Sequence, residues 1–335
     1  MFAFQLTDFG LEHLEPVEID PPEPGSGEVL VDVRAISPNF RDLLVIDGKY
    51  NPKLKLPVIP ISDGAGVVAE VGDGVTRWKP GDRVAGHFVT AWIDGPYCGE
   101  YVTSTLGTPG PGLAAEQVVL PESALVEIPP MFDFAEAATW PIAALTAWSA
   151  LVTEGGVEAG QSVLALGTGG VSIFVLQLAR ALGADMIITS SSDDKLARAR
   201  ELGATHAINY RSEPAWHKRV LALTDGRGVD VVAESGGIAT LSQSLAAVRA
   251  GGVIAMFGAL TGLQGEVNIA GVLMKRVRIA GILVDSRAAF EQMIRFMEQH
   301  ELRPVISDRF PLRELPAALR HMRAGGHFGK SVVER

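Results

Sequence analysis

The feature that most restricts the fold is an alternation of short apolar runs with helical segments, beginning at Ser162. Each run precedes a segment with helical character: SVLAL precedes Val171–Leu182, MIITS precedes Lys195–Leu202, HAIN precedes Pro214–Thr224, VDVVAES precedes Leu241–Arg249, and VIAMF follows. Strands that are apolar on both faces are typical of a parallel sheet covered by helices on both sides. The repeated strand–helix units therefore predict an α/β fold with a doubly wound parallel sheet.

The chain before residue 125 has a different pattern. Val29–Ile36 reads as a strand, and AGVVAEV followed by Gly72–Gly74 indicates a hairpin. A helical stretch is expected over Phe134–Thr153, and the tail adds helices at Phe290–Gln299 and Leu315–Arg323 and a short strand, KSVVE. A chain of 335 residues has room for about two domains. We therefore expect a β-rich domain joined to the α/β domain.

Composition and charge exclude several classes of protein. The chain carries 39 acidic and 29 basic side chains, a net charge of −10, which argues against binding to nucleic acid or to an anionic membrane. Its one cysteine, Cys98, rules out intrachain disulfides and any zinc cluster built from cysteines. The first ten residues lack the pattern of a secretion signal, and glycines interrupt the apolar stretch Val163–Leu182. We expect a soluble, cytoplasmic protein.

A glycine motif follows the first strand of the repeated units. Its spacing is Gly167-x-Gly169-x-x-Ser172, which matches the dinucleotide fingerprint except at the third glycine. Gly167 permits a tight turn, Gly169 lets a pyrophosphate approach the backbone, and the helix amides that begin at Gly170 and Val171 supply donors for the anion. The sequence predicts a dinucleotide site here, because the motif opens a series of strand–helix units.

The end of the next strand bears on the choice between NADP and NAD. Sites for NAD usually carry an acid about 20 residues after the glycines, but here Ser190 and Ser191 end the strand and Lys195 follows in the helix. Hydroxyls and a cation suit a 2′-phosphate, so we favour NADP, with NADPH as the reductant. Asp193 and Asp194 favour NAD instead, although acids in a first helical turn also interact with the helix dipole.

Five motifs, taken in order, resemble the medium-chain dehydrogenase/reductase superfamily: SDGAGVVAEVG, PGDRV, ATWPIAALTAWSAL, GTGGVS and HFGKSVV. The resemblance covers essentially the whole chain. It implies a GroES-like catalytic domain of residues 1–124 and 284–335, a Rossmann domain of residues 125–283, and an active site in the cleft between them.

The same resemblance raises the question of zinc. The positions where zinc-dependent members of the superfamily carry their ligands correspond here to the segment Asn39–Asp42, to Ser62 and to a place near Ile142. None of these is a strong zinc ligand, and a substitute site from Asp42, Asp63 and His87 is a minor alternative. We therefore expect no metal and place the chain in the zinc-independent branch, similar to quinone oxidoreductases and zinc-less alcohol dehydrogenases.

The resemblance also implies site residues. The zinc-independent branch often carries an Asn-x-x-Asp pair and a following tyrosine, which match Asn39, Asp42 and Tyr50. Asn39 is expected to donate a hydrogen bond to a substrate oxygen; Tyr50 either donates a proton or forms the pocket wall; Asp42 more plausibly braces its helix than takes part in the chemistry. Expected cofactor contacts are Thr146, Tyr210, Phe257, Gly258, Leu283, Phe328, Gly329 and Lys330.

The leading hypothesis is an NAD(P)H-dependent, zinc-independent oxidoreductase that transfers hydride to a quinone, an α,β-unsaturated carbonyl compound or a simple carbonyl compound. The alternative is a metal-free alcohol dehydrogenase or ketoreductase, since both reactions use one fold. A remote alternative is a non-enzymatic protein like the crystallin or RNA-binding relatives. Zinc-free members commonly form homodimers through an edge strand, and Val277–Val284 is the candidate segment.

Overall fold

The computed structural model describes residues 1–335, which form two compact units. The first unit comprises Met1–Leu145 and Val284–Arg335, and the second comprises Thr146–Leu283. The first boundary therefore lies after Leu145 rather than at 124/125, where the sequence analysis placed it. The reason is that strand Leu125–Glu127 pairs with strand Arg83–Gly86 and so extends the sheet of the first unit.

The strands, in chain order, are β1 (Phe2–Leu6), β2 (Leu14–Glu18), β3 (Glu28–Ile36), β4 (Gly64–Val71), β5 (Arg83–Gly86), β6 (Gln117–Pro121), β7 (Leu125–Glu127), β8 (Ser162–Ala165), β9 (Asp185–Ser190), β10 (His206–Asn209), β11 (Val229–Glu234), β12 (Val248–Met256), β13 (Arg278–Gly281), β14 (Ile306–Pro311) and β15 (Lys330–Glu334).

The α-helices are α1 (Phe40–Ile46), α2 (Phe134–Ala137), α3 (Leu145–Trp148), α4 (Gly170–Ala181), α5 (Asp193–Glu201), α6 (Trp216–Leu223), α7 (Ile238–Ala247), α8 (Ala270–Lys275), α9 (Arg287–Gln299) and α10 (Leu315–Arg323). Wider π-helical turns at Trp140–Ala144 and Ser149–Thr153 flank α3, and short 3₁₀ turns occur at Leu11–His13, Gly99–Ser104, Glu122–Ala124 and Leu312–Glu314. No helix is both long enough and apolar enough to cross a membrane.

The second unit is a six-stranded parallel sheet in the order β10-β9-β8-β11-β12-β13. Its central strand β11 is buried along its whole length, and helices cover the sheet, as the continuous apolar runs predict. The doubly wound parallel fold is confirmed. The sheet places the ends of β8, β9, β10, β11, β12 and β13 along one edge, and ligands of such folds bind at that carboxyl edge.

The first unit is built on a second sheet, which follows the order β14-β15-β3-β4-β5-β7, with β6 paired to β3. The pair β14–β15 is parallel and the other pairs are antiparallel. Strand β15, near the end of the chain, thus lies next to β3, near its beginning. This return brings the segment after Gly329 beside the segment that precedes α1, where the candidate catalytic residues lie.

One helix boundary differs from the sequence expectation. The helix expected over Leu241–Arg249 ends at Ala247, and Val248 already pairs with Val229 as the first residue of β12. The ammonium of Lys275 donates hydrogen bonds to the carbonyl oxygens of Leu245, Ala246 and Val248, at distances of 2.9–3.0 Å. A side chain distant in sequence therefore satisfies the last carbonyl groups and ends the helix.

Candidate active site

The glycine loop of the second unit has the conformation that the fingerprint predicts. Gly167 adopts φ +79°, a left-handed conformation, and no atom lies within 4 Å of the place where a β-carbon would stand. Gly169 is the N-cap of α4 and offers no side chain to its free amides, which begin at Gly170 and Val171. Open space next to uncapped helix amides fits a phosphate group.

Ser172 stands at the position of the third glycine, and its side chain makes a hydrogen bond that a glycine could not make. Its hydroxyl is buried and donates to the carbonyl oxygen of Leu166 across 2.7 Å. The hydroxyl of Ser235 donates to the same oxygen across 2.9 Å. Ser172 and Ser235 therefore share one acceptor, Leu166 O, which connects the glycine loop to the loop after β11.

The loop after β11 is shaped by Glu234, whose role the sequence analysis did not identify. This fully buried carboxylate accepts hydrogen bonds from the backbone N–H groups of Gly236 and Gly237 and from the hydroxyls of Thr240 and Ser244. A strand ending in an acid, followed by two glycines and then hydroxyls one turn into a helix, could have indicated this arrangement. The carboxylate fixes a loop at the ligand-binding edge.

The candidate contacts at the end of β12 adjoin the same loop. A β-carbon at Gly258 would lie 2.3 Å from the carbonyl oxygen of Ser235, so only glycine fits there. Phe257 precedes it and donates its backbone N–H to Glu234 O across 3.1 Å. Both residues are half-buried at the carboxyl edge of the sheet, and so is Leu283, which follows β13.

The hydroxyl groups after β9 have separate roles. Ser190 is buried, its Oγ lies 3.5 Å from Thr168 Oγ1, and it accepts from the backbone N–H of Ser192 across 3.3 Å. Ser192 caps α5 by accepting from the backbone N–H of Lys195 across 3.4 Å. Ser190 therefore connects the end of β9 to the glycine loop. Ser191 directly follows β9 and is half-buried.

The acids that favoured NAD lie in the first turn of α5. Asp193 is exposed, and its Oδ1 accepts a hydrogen bond from Asn209 Nδ2 across 2.8 Å. The neighbouring Tyr210 donates its backbone N–H to Ser190 O across 3.1 Å and exposes its side chain. Lys195 is half-buried one turn into the same helix. Tyr210 and the hydroxyl segment are thus brought together.

In the first unit, four buried polar side chains form a group that we call the lysine cluster: Asn39, Asp42, Asp63 and Lys330. The first two belong to the candidate catalytic segment. Lys330 Nζ donates to Asn39 Oδ1 and to the carbonyl oxygen of Pro38, each across 2.8 Å. Asp42 Oδ2 accepts from the backbone N–H of Asn39 across 2.7 Å, so Asp42 braces the start of α1, as expected.

Asp63 completes the lysine cluster. Its Oδ1 accepts from the Ser62 hydroxyl and its Oδ2 from the Ile142 backbone N–H, both across 3.0 Å. Burial raises the pKa of Asp63 to about 6, although the nearby Lys330 and the amide of Asn39 oppose the shift. Burial likewise lowers the pKa of Lys330 to about 8, against the attraction of Asp63 and Asp42. The pKa of Asp42 is also raised, again by burial.

Of the three candidate catalytic residues, Tyr50 is the most accessible, with 39% of its surface exposed. The guanidinium carbon of Arg41 lies 4.5 Å from the centre of its ring and 4.9 Å from that of Phe88. Arg41 Nη2 donates to the carbonyl oxygen of Thr108 across 2.7 Å, and its Nη1 lies 3.9 Å from Asp42 Oδ1. A cation–π contact therefore connects α1 to Tyr50.

The donor set does not fit a catalytic zinc ion. No group of three or more His, Cys, Asp or Glu side chains comes together as potential metal ligands. The minor alternative included His87, but its Nε2 is 2.8 Å from the carbonyl oxygen of Asp285, and burial lowers its pKa to about 4. His87 is thus a buried, neutral side chain hydrogen-bonded to the backbone.

The three tail residues expected to contact a cofactor are Phe328, Gly329 and Lys330, which lie in the first unit. Phe328 is 1% exposed and belongs to the core of the first unit, and Lys330 is taken up by the lysine cluster. Gly329 adopts φ +74° beside Val305, where a β-carbon would lie 2.4 Å from Val305 O. The HFGKSVV motif packs the chain's return strand, which sequence spacing alone could not indicate.

Thr146, another residue expected to contact the cofactor, lies buried in α3.

Two stretches of the chain match known domain families. Residues 25–130 match the alcohol dehydrogenase GroES-like domain, and residues 170–299 match the zinc-binding dehydrogenase family. A zinc-type alcohol dehydrogenase-like protein of Schizosaccharomyces pombe is 40% identical over 332 residues, covering 97% of this chain and 96% of the relative. A quinone oxidoreductase of Pseudomonas aeruginosa is 35% identical, with coverage of 97% and 96%.

Solved structures with the same fold include proteins named alcohol dehydrogenases and a protein bound to NADPH. A Sinorhizobium meliloti protein provisionally named an alcohol dehydrogenase superposes with a TM-score of 0.93 at 42% identity, covering 100% of this chain and 98% of that one. An NAD-dependent alcohol dehydrogenase gives 0.92 at 35% identity, with both chains fully covered. A mycobacterial protein complexed with NADPH gives 0.85 at 27% identity, again with full coverage of both chains.

Proposed function

The chain belongs to the medium-chain dehydrogenase/reductase family and is an NAD(P)-dependent oxidoreductase. From that premise we propose that it uses NADPH to reduce a quinone, an α,β-unsaturated carbonyl compound or a simple carbonyl compound, without zinc. The observation that carries the proposal is the lysine cluster. It places an ammonium group and its hydrogen-bonded partners beside the segments whose counterparts hold zinc in the zinc-dependent members.

The charges of the lysine cluster support zinc independence on physical grounds. The two carboxylate oxygens of Asp63 accept hydrogen bonds from the Ser62 hydroxyl and the Ile142 backbone N–H. Lys330 adds a buried positive charge 2.8 Å from Asn39 Oδ1. A divalent cation placed there would be repelled by the ammonium and would lack soft or imidazole ligands. We therefore assign no step to a metal.

The second unit offers the residues that would hold the cofactor. The free amides at Gly170 and Val171 would bind the pyrophosphate, and Gly167 and Gly169 would let it approach. When bound, the reduced nicotinamide supplies a hydride. This chain's own contribution is to bind and orient both reactants, and correct orientation by itself can lower the barrier substantially in a reaction without metal catalysis.

The preference for NADPH over NADH is supported at the end of β9. Residues 189–192 read Thr-Ser-Ser-Ser, so the strand ends without the acid that would bind a ribose 2′-hydroxyl. The carboxylate of Asp193 is hydrogen-bonded to Asn209 instead. Lys195 would supply the positive charge and Tyr210 the flat surface that a 2′-phosphorylated adenosine requires.

On the substrate side, we assign the polar contact to Tyr50, whose exposed side chain can donate a hydrogen bond or a proton to a substrate oxygen. Asn39 is less suited to this role, because its amide is already bonded to Lys330, Ser37 and Asp63. Asp42 acts on the backbone of α1. In this assignment the substrate contacts Tyr50, which follows α1, and does not contact the Asn-x-x-Asp pair.

The test is NADPH oxidation by metal-stripped protein supplied separately with a quinone, a 2-alkenal and a saturated ketone. Turnover of the quinone or the alkenal alone supports the proposal in its main form. Turnover of the ketone, reversible with the alcohol and NADP, identifies the alternative, a metal-free alcohol dehydrogenase or ketoreductase; relatives named as alcohol dehydrogenases keep that alternative open. Activity that is lost on chelation and restored by zinc contradicts metal independence.

We also propose that the protein acts as a homodimer in the cytoplasm, where the pool of reduced nicotinamide is available. Strand β13 is one of the two edge strands of the parallel sheet, the other being β10. Helix α8, just before it, exposes 68% of Leu273 and 85% of Met274, and Ile269 and Ile279 are exposed as well. Apolar side chains beside an unpaired strand edge fit a second copy of the same edge.

A further inference from the structure

Three segments distant in sequence meet at the lysine cluster. Ser37 donates its hydroxyl to the carbonyl oxygen of Ser331 across 2.8 Å and its backbone N–H to Asp63 O across 3.0 Å. Lys330 donates to Pro38 O and Asn39 Oδ1. The residues before α1 are therefore held from one side by β15 and from the other by the segment that leads into β4.

The side-chain amide of Asn39 has one orientation that satisfies every partner. Its Oδ1 faces the ammonium of Lys330, which can only donate, and its Nδ2 donates to Ser37 O across 3.2 Å and to the carboxylate of Asp63. A flipped amide would turn two donors toward each other. The amide is thus locked, and it transmits the position of Lys330 to the first residue of α1.

The helix that starts at Asn39 leads directly to the exposed tyrosine. Arg41 lies in its first turn, stacks against Tyr50 and Phe88, and is anchored on Thr108 O across 2.7 Å. The backbone N–H of Tyr50 donates to Leu44 O, in the last turn of α1, across 2.9 Å. Any shift of the helix start is carried by α1 to both the backbone and the ring of Tyr50.

We propose that Lys330, hydrogen-bonded to Pro38 O and Asn39 Oδ1, is a positioning residue for the reduction. Through the Asn39 amide it fixes the start of α1 and so sets Arg41 and Tyr50 in the place where Tyr50 meets substrate. This inference rests on the proposed function, because it assigns Tyr50 to the substrate. It gives Lys330 a role other than the cofactor contact that the family resemblance implies.

The energetics favour a specific role over a purely stabilising one. Lys330 is 4% exposed and Asp63 is fully buried, so both charges are held away from water. Buried opposite charges commonly give no more stability than apolar residues of similar volume, because desolvation offsets their attraction. A hydrogen bond aimed at one amide oxygen gives a single orientation, which an apolar side chain cannot.

The first experiment compares Lys330→Met, Lys330→Met/Asp63→Asn, Asn39→Ala and the combination Lys330→Met/Asn39→Ala, with Lys79→Met as an exposed control in the same unit. We expect Lys330→Met to lower kcat at least tenfold and to change the KM for NADPH less than twofold. The neutral pair Lys330→Met/Asp63→Asn should regain the wild-type Tm but not the wild-type kcat. Losses from Lys330→Met and Asn39→Ala should not multiply, since the two residues act as one unit.

A second measurement does not depend on turnover. The chain has four tyrosines, so 3-fluorotyrosine labelling gives a ¹⁹F NMR spectrum in which Tyr50→Phe identifies the Tyr50 signal. That signal should shift in Lys330→Met/Asp63→Asn and stay in place in Lys79→Met, while the Tyr210 signal stays in both. An unmoved Tyr50 signal, or a kcat that returns together with Tm, overturns the inference. Wild-type protein inactive on every acceptor refutes the proposed function instead, and the NMR result still decides the positioning.

Discussion

Lys330 and Asn39 stand 291 positions apart in the chain, yet Lys330 Nζ and Asn39 Oδ1 are joined by a hydrogen bond of 2.8 Å. The bond links the return strand β15 to the residue before α1. Asn39, which the family resemblance marks as a substrate-binding residue, is therefore part of an internal hydrogen-bond network. The proposed function assigns the contact with substrate to Tyr50 instead.

The buried charges of the lysine cluster should lower stability at neutral pH. Asp63 keeps its proton up to about pH 6 in the folded protein, so its contribution to stability falls as pH rises from 3.8 to about 6. Burial lowers the pKa of Lys330 to about 8, so its unfavourable contribution to the free energy of unfolding disappears only as the pH rises from about 8 to 10.5. Asp42, whose pKa is also raised, acts in the same direction as Asp63, and Arg41 beside it is the other charged group facing the cluster.

Lys330→Met/Asp63→Asn is therefore expected to match or exceed the wild type at pH 7, by as much as about 1–4 kcal/mol in the free energy of unfolding. The advantage should shrink as the pH falls below 6, because wild-type Asp63 then becomes neutral. Urea unfolding at pH 4.5 and pH 7 measures the difference. A variant clearly less stable than the wild type at pH 7 would show that the two buried charges stabilise the fold.

His87 should contribute acid sensitivity in the opposite direction. Its pKa is lowered from 6.5 to about 4 by burial, so the unfolded chain binds the proton more readily and stability is lost as pH falls from about 6.5 to about 4. The loss attributable to His87 is about 3 kcal/mol. His87→Gln can still donate to Asp285 O and cannot be protonated, so its unfolding free energy should depend less on pH in that range. Equal pH dependence in the two proteins would contradict the prediction.

Lys195→Ala tests the assignment of the 2′-phosphate. We expect the Kd for NADPH to rise about tenfold and the Kd for NADH to stay within twofold, because only NADPH carries the phosphate that the ammonium would bind. Fluorescence titration of both cofactors measures this, with exposed Lys218→Ala in the same unit as the matched control. If both cofactors weaken equally, Lys195 does not bind the 2′-phosphate.

Glu234→Gln should weaken both cofactors alike. The carboxylate accepts from Gly236 N across 2.7 Å and from Gly237 N across 3.1 Å, and an amide nitrogen in place of either oxygen removes acceptors that the buried loop needs. We expect a loss of about 1–3 kcal/mol in stability and a several-fold rise in Kd for NADPH and NADH. Glu213→Gln, at an exposed position, is the control. Unchanged affinity for both cofactors would mean that the loop does not contact the cofactor.

The free edge at β13 gives a prediction about assembly. Leu273→Glu with Met274→Glu should raise the dimer dissociation constant at least tenfold, because two charges would enter an apolar interface. Light scattering across a dilution series measures the mass, and Val102→Glu, exposed in the first unit, serves as the control. A wild-type protein that is monomeric at high micromolar concentration would refute the homodimer.

Much of the second unit could be predicted because its signals are local. The apolar run of β11 and the glycines of 167–170 each act through neighbours in the chain, so the parallel sheet, the turn at Gly167 and the helix α4 follow from the sequence. The end of α7 could not be predicted, since its last carbonyl groups are satisfied by Lys275 from beyond β12. Glu234 was equally hidden, because its four donors assemble only when its loop folds back.

The sequence by itself determined the two-part architecture, the dinucleotide motif and the absence of zinc-ligand types at the matching positions, because each depends on residue identity and short-range spacing. Only the tertiary structure decided what the HFGKSVV motif does. Pairing of β15 with β3 buries Phe328 in the core and brings Lys330 onto Asn39. The physical reason is that hydrogen-bond partners and desolvation are properties of a folded neighbourhood, and the groups that make up that neighbourhood lie hundreds of residues apart.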